Sequence, residues 1–270
     1  MPPISLAALT ILDAGPIVQV YAAREGGFSS VGLRLQPLLA TDQAIVGDAE
    51  KERALLAALA ETGCKVLEIG VFPLKPETKA EHFAPVVAFS AKIGARYLVC
   101  PIEDEDKARR VETFRGVCDL ASAHGMEALV EFNPYSGCRS LAEAAELARD
   151  AARPNGKLLI DVLHLSRSGG SPEDARKLDP ALIPLVHFCD APPKPTDNRS
   201  VEELRRESRT ARMLPGEGSL WLAELLGVLS PDVAISVEAP SARHAHLPAG
   251  ERAHLAYEAT MTMLRGAGRA

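Results

Sequence analysis

The chain reads as a single-domain α/β protein, a (β/α)8 barrel of the TIM-barrel class spanning residues 1–270. Two patterns predict it. Apolar runs of strand length alternate with longer segments of helical period, the signature of βαβ units and a parallel sheet. A chain of 270 residues that is 47% apolar can bury the core of one such barrel. The competing doubly wound open sheet would carry a glycine-rich phosphate turn after its first strand, and Leu12-Asp13-Ala14-Gly15-Pro16 is not one.

Strands are expected at 4–10, 31–36, 65–70, 97–102, 127–132, 157–162, 184–189 and 233–238, where the apolar runs fall. Helices are expected between them at 16–26, 48–62, 77–93, 104–124, 140–152, 172–178, 219–229 and 248–265, segments rich in Ala, Leu, Glu and Arg. Asp104 and Ser140 can cap, Ser171-Pro172 puts proline at a first helical position, and Ser219 precedes an apolar-periodic run. The long segment 190–218 carries Pro192, Pro193, Pro195 and the charged stretch 201–212. Following the seventh strand, it is read as a partial lid, with a solvated helix over 201–212 as the alternative.

Charge and cysteine content narrow the function. A net charge of −6 offers no basic face for a phosphate backbone, so nucleic acid is not expected as a partner. The cysteines (Cys64, Cys100, Cys118, Cys138, Cys189) are odd in number, far apart and without a C-x-x-C pair, which signals neither a disulfide framework nor a thiolate zinc site. The N-terminal stretch has no basic n-region, and no run reaches the ~18 apolar residues of a membrane span, so a cytoplasmic protein with no membrane partner is expected. A homodimer fits a barrel of this kind, although no apolar helix face stands out as an interface.

Four strand-like runs in the second half end in potential metal ligands: Glu131 in ALVEFNP, Asp161 in KLLIDVLHL, His187 in PLVHFCDAP and Glu238 in AISVEAP. In a parallel barrel, strand C-termini converge on the mouth where active sites are built. Three carboxylates and an imidazole suit a divalent cation, Mn2+ or Mg2+ foremost, with Zn2+ or Co2+ as alternatives. Such an ion polarises a carbonyl and stabilises the enediolate left when a neighbouring carbon loses its proton. Glu131 and Glu238, across the mouth from one another, are the candidate catalytic acid and base. His164 and Asp190 are candidate substrate contacts, and Asp190 could instead orient His187. Arg209, Arg212 and Lys194 flank the turn Pro215-Gly216-Glu217-Gly218 and could hold a phosphate or carboxylate. His244, His246 and His254 resemble a metal tract but lack a matching carboxylate, which favours solvent exposure.

At these residues the chain resembles the xylose isomerase-like TIM-barrel superfamily of sugar phosphate isomerases and epimerases. The likeness runs from ISLAALTILDAGP and VGLRLQP to LVEFNP, IDVLHLSRSGGSPED, VHFCDAP, RMLPGEGSL and ISVEAP. The resemblance implies one metal held by Glu131, Asp161, His187 and Glu238, with the two glutamates also moving protons. It implies substrate contacts at His164 and Arg212, so that Arg212→Ala should raise KM with little loss of metal. Two departures stand out: Gly70 follows Glu68-Ile69 where many members end the third strand in an acid, leaving the far side of the site less polar, and Phe132, Asn133 and Pro134 replace a further acid or histidine.

The expected activity is a divalent-metal-dependent isomerase or epimerase of a small sugar, keto-polyol or hydroxy-keto acid, working by proton abstraction beside a metal-polarised carbonyl. A dehydratase of a keto-polyol or dehydroshikimate-like substrate shares that first step. A non-catalytic sugar-binding barrel, and a nucleic-acid hydrolase disfavoured by the acidic charge, complete the alternatives.

Overall fold

The computed structural model describes residues 3–37, 42–195 and 199–269. Eight strands close in chain order, β1 (Ile4–Leu6), β2 (Ser30–Leu33), β3 (Lys65–Ile69), β4 (Tyr97–Pro101), β5 (Glu127–Glu131), β6 (Gly156–Asp161), β7 (Leu185–Phe188) and β8 (Ala234–Val237), with β8 pairing back to β1. Each neighbouring pair is parallel. The helices are α1 (Pro16–Gly26), α2 (Ala49–Thr62), α3 (Ala84–Lys92), α4 (Lys107–Ser122), α5 (Leu141–Ala151), α6 (Val162–Arg167), α7 (Pro172–Arg176), α8 (Val201–Thr210), α9 (Leu222–Val228) and α10 (Ala249–Gly266). The expected barrel is therefore observed, in the expected strand order.

Alternation along the strands sorts side chains into two apolar layers. Leu67, Tyr97, Val99, Leu129, Leu159, Leu185 and Ala234 fill the barrel interior. Their neighbours Leu98, Ala128, Val130, Leu158, Ile160, Val186 and Ile235 join the larger cluster with the helices. Full burial of each leucine contributes roughly 1.5–3 kcal/mol. The same inward alternation carries Glu131, Asp161 and His187 above this floor one step further along, and Glu238 two steps beyond Ala234.

Several elements depart from expectation for local reasons. β1 ends at Leu6, and the chain turns into a 3-10 segment, Ala8–Ala14, where Thr10 donates to Val237 O and accepts from Ala239 N. The helix expected over 77–93 is broken into a 3-10 turn, Ala80–Phe83, and α3, because Pro85 in the first turn of α3 cannot extend an upstream helix. Asp106 rather than Asp104 caps α4, since Asp104 is engaged by the guanidinium of Arg109 at 2.5 and 2.7 Å. Ser219 does not cap: α9 begins at Leu222 without a side-chain cap. Ser140 does cap α5, and Ser171 donates to Asp174 at the start of α7.

The segment 190–218 is more ordered in form than the lid reading anticipates, although 196–198 lie outside the described residues. It contains α8, opened by a capping box between Ser200 and Glu203. Glu207 is buried against Arg167, with oxygens 2.6 and 3.0 Å from the guanidinium. A short bridge from Asp190 to Met213 closes the segment on itself, and one from Ala211 to Ser241 fastens it to the loop after β8. No helix among the described residues is long and apolar enough to cross a membrane, and all five cysteines are buried and free.

Candidate active site

Glu131 and Asp161 are the last residues of β5 and β6, His187 is the third residue of β7, and Glu238 follows β8 directly. Asp161 lies opposite His187 in the β6–β7 register. Parallel pairing and barrel tilt therefore lift four residues distant in sequence to one level. All four are buried, and one ligand atom from each lies within 4.8 Å of the others.

His187 stands at the centre. Its Nδ1 is 3.4 Å from Glu238 Oε2 and 3.7 Å from Glu131 Oε1, and neither ring nitrogen makes a hydrogen bond. A buried imidazole nitrogen without a hydrogen bond, facing carboxylates in a water-poor interior, is costly unless a cation or proton sits among them. The residues present thus fit a divalent ion: three anionic oxygens and one nitrogen, with no thiolate among them. Burial opposes charging of His187, but Glu238, Glu131 and Glu68 outweigh it and hold the metal-free ring's pKa well above the ordinary histidine value. Burial likewise opposes ionisation of Glu238, yet His187 and Arg212 draw its pKa far below the usual carboxylate range.

Asp161 serves two structural roles as well. Its Oδ1 accepts the His164 backbone N–H at 2.9 Å and caps α6, the short helix into which the chain turns directly after β6. Reading Lys157–Leu165 as one apolar run hides that turn. The cap brings His164 to the cavity wall, its ring 5.7 Å edge-to-face from Tyr135.

Arg212 is fully buried. Its Nη1 lies 2.6 Å from Asp161 Oδ2, its Nη2 3.0 Å from Glu238 Oε2, and its Nε donates to Ser208 O at 2.8 Å. Burial alone would favour its neutral form, but Asp161, Cys189 and Glu238 raise its pKa and keep it charged. Arg212 lines the cavity, as a substrate contact should, but it also braces two prospective ligands. The expectation that its loss would spare the metal is corrected on that ground.

Asp190 is placed differently from expectation. Its Oδ1 accepts from Ala191 and Leu220 N–H groups and its Oδ2 from Gly216 N–H, so the carboxylate fastens the 215–218 turn and neither orients His187 nor lines the cavity. Lys194 is exposed and also away from the cavity wall. His246 and His254 are exposed and His244 is partly so, and the four-residue group around His187 is the single metal-capable cluster found among the described residues.

Glu68 is the main residue that sequence reasoning missed. A bulge opposite Val31 and Leu33 puts an extra residue into β3, and Glu68 is drawn in behind the site. Its Oε1 accepts from Ser236 Oγ at 2.5 Å and stands 3.6 Å from His187 Nε2. Gly32 makes room: a Cβ there would lie 2.3 Å from Glu68 Oε1. Glu68 lies behind the imidazole and does not line the cavity, whose wall beyond β3 is formed by Val71, Pro73 and Lys75. A carboxylate set between Leu67 and Ile69 within an apolar run was the available signal.

The site opens into a cavity of about 330 Å3, at the small end of the range for small-molecule sites. Glu131, Glu238, His164 and Arg212 line its inner part, with Asn133 and Tyr135 from the loop after β5.

A sequence profile described as xylose isomerase-like TIM barrel matches residues 20–266. The chain belongs to that family. Among family relatives, an inosose isomerase of Bacillus licheniformis is 27% identical over 198 residues, 68% of this chain and 68% of that protein. A 3-dehydroshikimate dehydratase of Bacillus anthracis is 31% identical over a shorter stretch of 84 residues, 31% of this chain and 30% of that protein. The crystal structure of the IolI protein with a zinc atom superposes with a TM-score of 0.81 over 98% of both chains, at 19% identity, a likeness that speaks to the fold.

Proposed function

We propose that this family member is a divalent-metal-dependent isomerase or epimerase of a keto-polyol, hydroxy-keto acid or small sugar. The observation that carries the reading is the cluster of Glu131, Asp161, His187 and Glu238, in which two glutamates that line a small-molecule cavity both face the Nδ1 of one buried imidazole. The 27% identity to an inosose isomerase over two thirds of the chain supports the keto-polyol class.

Glu131, Asp161, His187 and Glu238 are the residues that would hold the ion, Mn2+ or Mg2+ foremost, with Zn2+ or Co2+ as alternatives. When bound, it supplies positive charge to a substrate oxygen and so acidifies the neighbouring carbon-bound proton. Glu238, an ionised carboxylate held beside the Arg212 guanidinium, takes that proton. Glu131 returns a proton to the opposite face, which inverts the carbon; return to the adjacent carbon gives the isomer. His164 lines the cavity beside the two glutamates, where it can donate to a substrate oxygen.

A dehydratase reading is supported by the local identity to a 3-dehydroshikimate dehydratase. It shares the proton abstraction and differs in losing a β-hydroxyl. The test is solvent deuterium uptake into a panel of ketoses and keto-polyols by metal-loaded protein, with absorbance followed for a conjugated product. Deuterium incorporation without the chromophore supports the isomerase or epimerase. Appearance of the chromophore, with or without incorporation, supports the dehydratase, and neither incorporation nor chromophore with any member of the panel overturns both.

A further inference from the structure

Resting on the reading of the cavity as a substrate site, we infer that the substrate carries an anionic group, a carboxylate or a phosphate, received by Arg205, Arg209 and Lys75 at the end remote from the metal cluster. Arg205, Ser208, Arg209 and Arg212 recur at the spacing of one helical face and all line the cavity that holds Glu131 and Glu238. Lys75, from the segment after β3, lines the same cavity.

The pairing of charges separates these cations from the others on the wall. Arg212 is bound to Asp161 and Glu238, and Arg34 lies 3.6 Å from Asp42. Lys75, Arg205 and Arg209 have no carboxylate within salt-bridge distance among the described residues, whereas Glu105, on the same wall, is paired with Arg139 at 2.7 Å. Outside the metal cluster, that leaves Glu103 as the one carboxylate on the wall without an ion pair, against three such cations. The local excess is opposite in sign to the chain's net charge of −6, so composition does not account for it.

Helix α8 also sorts its own charges. Glu203 is used in the capping box and Glu207 in the buried pair with Arg167, so these two acids are withdrawn from the arginines on the cavity face. The Glu207 pair anchors the helix to the barrel, and Ser208 bonds Tyr135 through its hydroxyl at 3.0 Å. The Arg205 guanidinium lies over the Tyr135 ring, 5.5 Å from its centroid. The Tyr135 ring holds the Arg205 guanidinium, and the fastened helix puts the forked donors of Arg205 and Arg209 on one wall, the arrangement that suits a planar carboxylate or a phosphate.

Three probes of similar size test this: D-fructose, 5-keto-D-gluconate and D-fructose 6-phosphate, titrated calorimetrically into metal-loaded protein and, separately, into the Arg205→Gln/Arg209→Gln double variant. The wild type should bind one anionic probe about tenfold or more tighter than D-fructose, as expected for charge-assisted hydrogen bonds, with the preference falling as salt is raised. Whether the carboxylate or the phosphate gains identifies the source of the charge. The double variant should lose that preference while keeping its affinity for D-fructose and for Mn2+. Equal binding of all three probes, binding of none, or a preference that survives in a folded double variant overturns the inference. A separate Mn2+ titration keeps the two readings apart: an arginine-dependent anion preference in protein that takes up no metal defeats the metal-site reading and leaves this one standing.

Discussion

Glu68 Oε1 stands 3.6 Å from His187 Nε2, on the opposite side of the ring from Glu131 and Glu238. A carboxylate in that place favours the proton on Nε2 and leaves the Nδ1 lone pair to face the ligand cluster. Loss of such an orienting partner weakens metal binding by roughly 10–100-fold. Glu68→Ala is therefore expected to bind Mn2+ more weakly by that margin, with Glu68→Gln in between because its amide oxygen still accepts. Titration of metal-free protein with Mn2+ measures it, and wild-type affinity in the alanine variant would show that Glu68 does not orient the ring.

Glu131→Gln and Glu238→Gln keep volume and hydrogen-bonding shape while removing a base. Each is expected to reduce solvent deuterium uptake by about 10²–10⁴-fold, the usual size of general acid–base contributions. Circular dichroism should report an unchanged fold. Turnover near wild type in either variant would remove that glutamate from the proton path.

Arg212→Ala removes the cation lying between Asp161 and Glu238 and leaves two carboxylates crowded in a dry interior. Breaking a buried pair in this way costs about 3–5 kcal/mol. A lowered denaturation midpoint in metal-free protein, together with altered metal affinity, is the expected result. A rise in KM with stability and metal binding untouched would assign Arg212 to substrate contact alone.

Metal uptake should depend on pH in a definite direction. His187 holds its proton well above the ordinary histidine value in metal-free protein, despite burial, because of Glu238, Glu131 and Glu68. The ion needs the nitrogen lone pair, so binding expels a proton and affinity rises with pH, by up to ~10-fold per unit, until the folded-state pKa is passed. In metal-free protein the sign is reversed for stability. The charged ring's contribution is complete below the unfolded pKa and is lost as pH rises through the raised folded value. Calorimetry in buffers of differing ionisation enthalpy detects the released proton, and pH-independent affinity would refute this competition.

The barrel was legible because its signals are local. Apolar runs alternating with helical segments report the strands and most of the helices directly, and a ligand near a strand's C-terminal end projects toward the mouth once the sheet closes. Glu131, Asp161, His187 and Glu238 were readable on those terms. Asp190 misled because an aspartate before Ala-Pro-Pro looks the same whether it faces a cavity or binds the backbone N–H groups of Ala191 and of the distant Gly216 and Leu220.

The order and kind of the elements and the chemical type of the site follow from hydrophobic period and from residue type at strand ends. Tertiary contacts decided that a bulge draws Glu68 in behind His187, that Gly32 leaves space for it, and that α8 places Arg205 and Arg209 on the cavity wall. These placements depend on register and helix docking, which are set by contacts between segments far apart in the chain, and local periodicity carries no record of them.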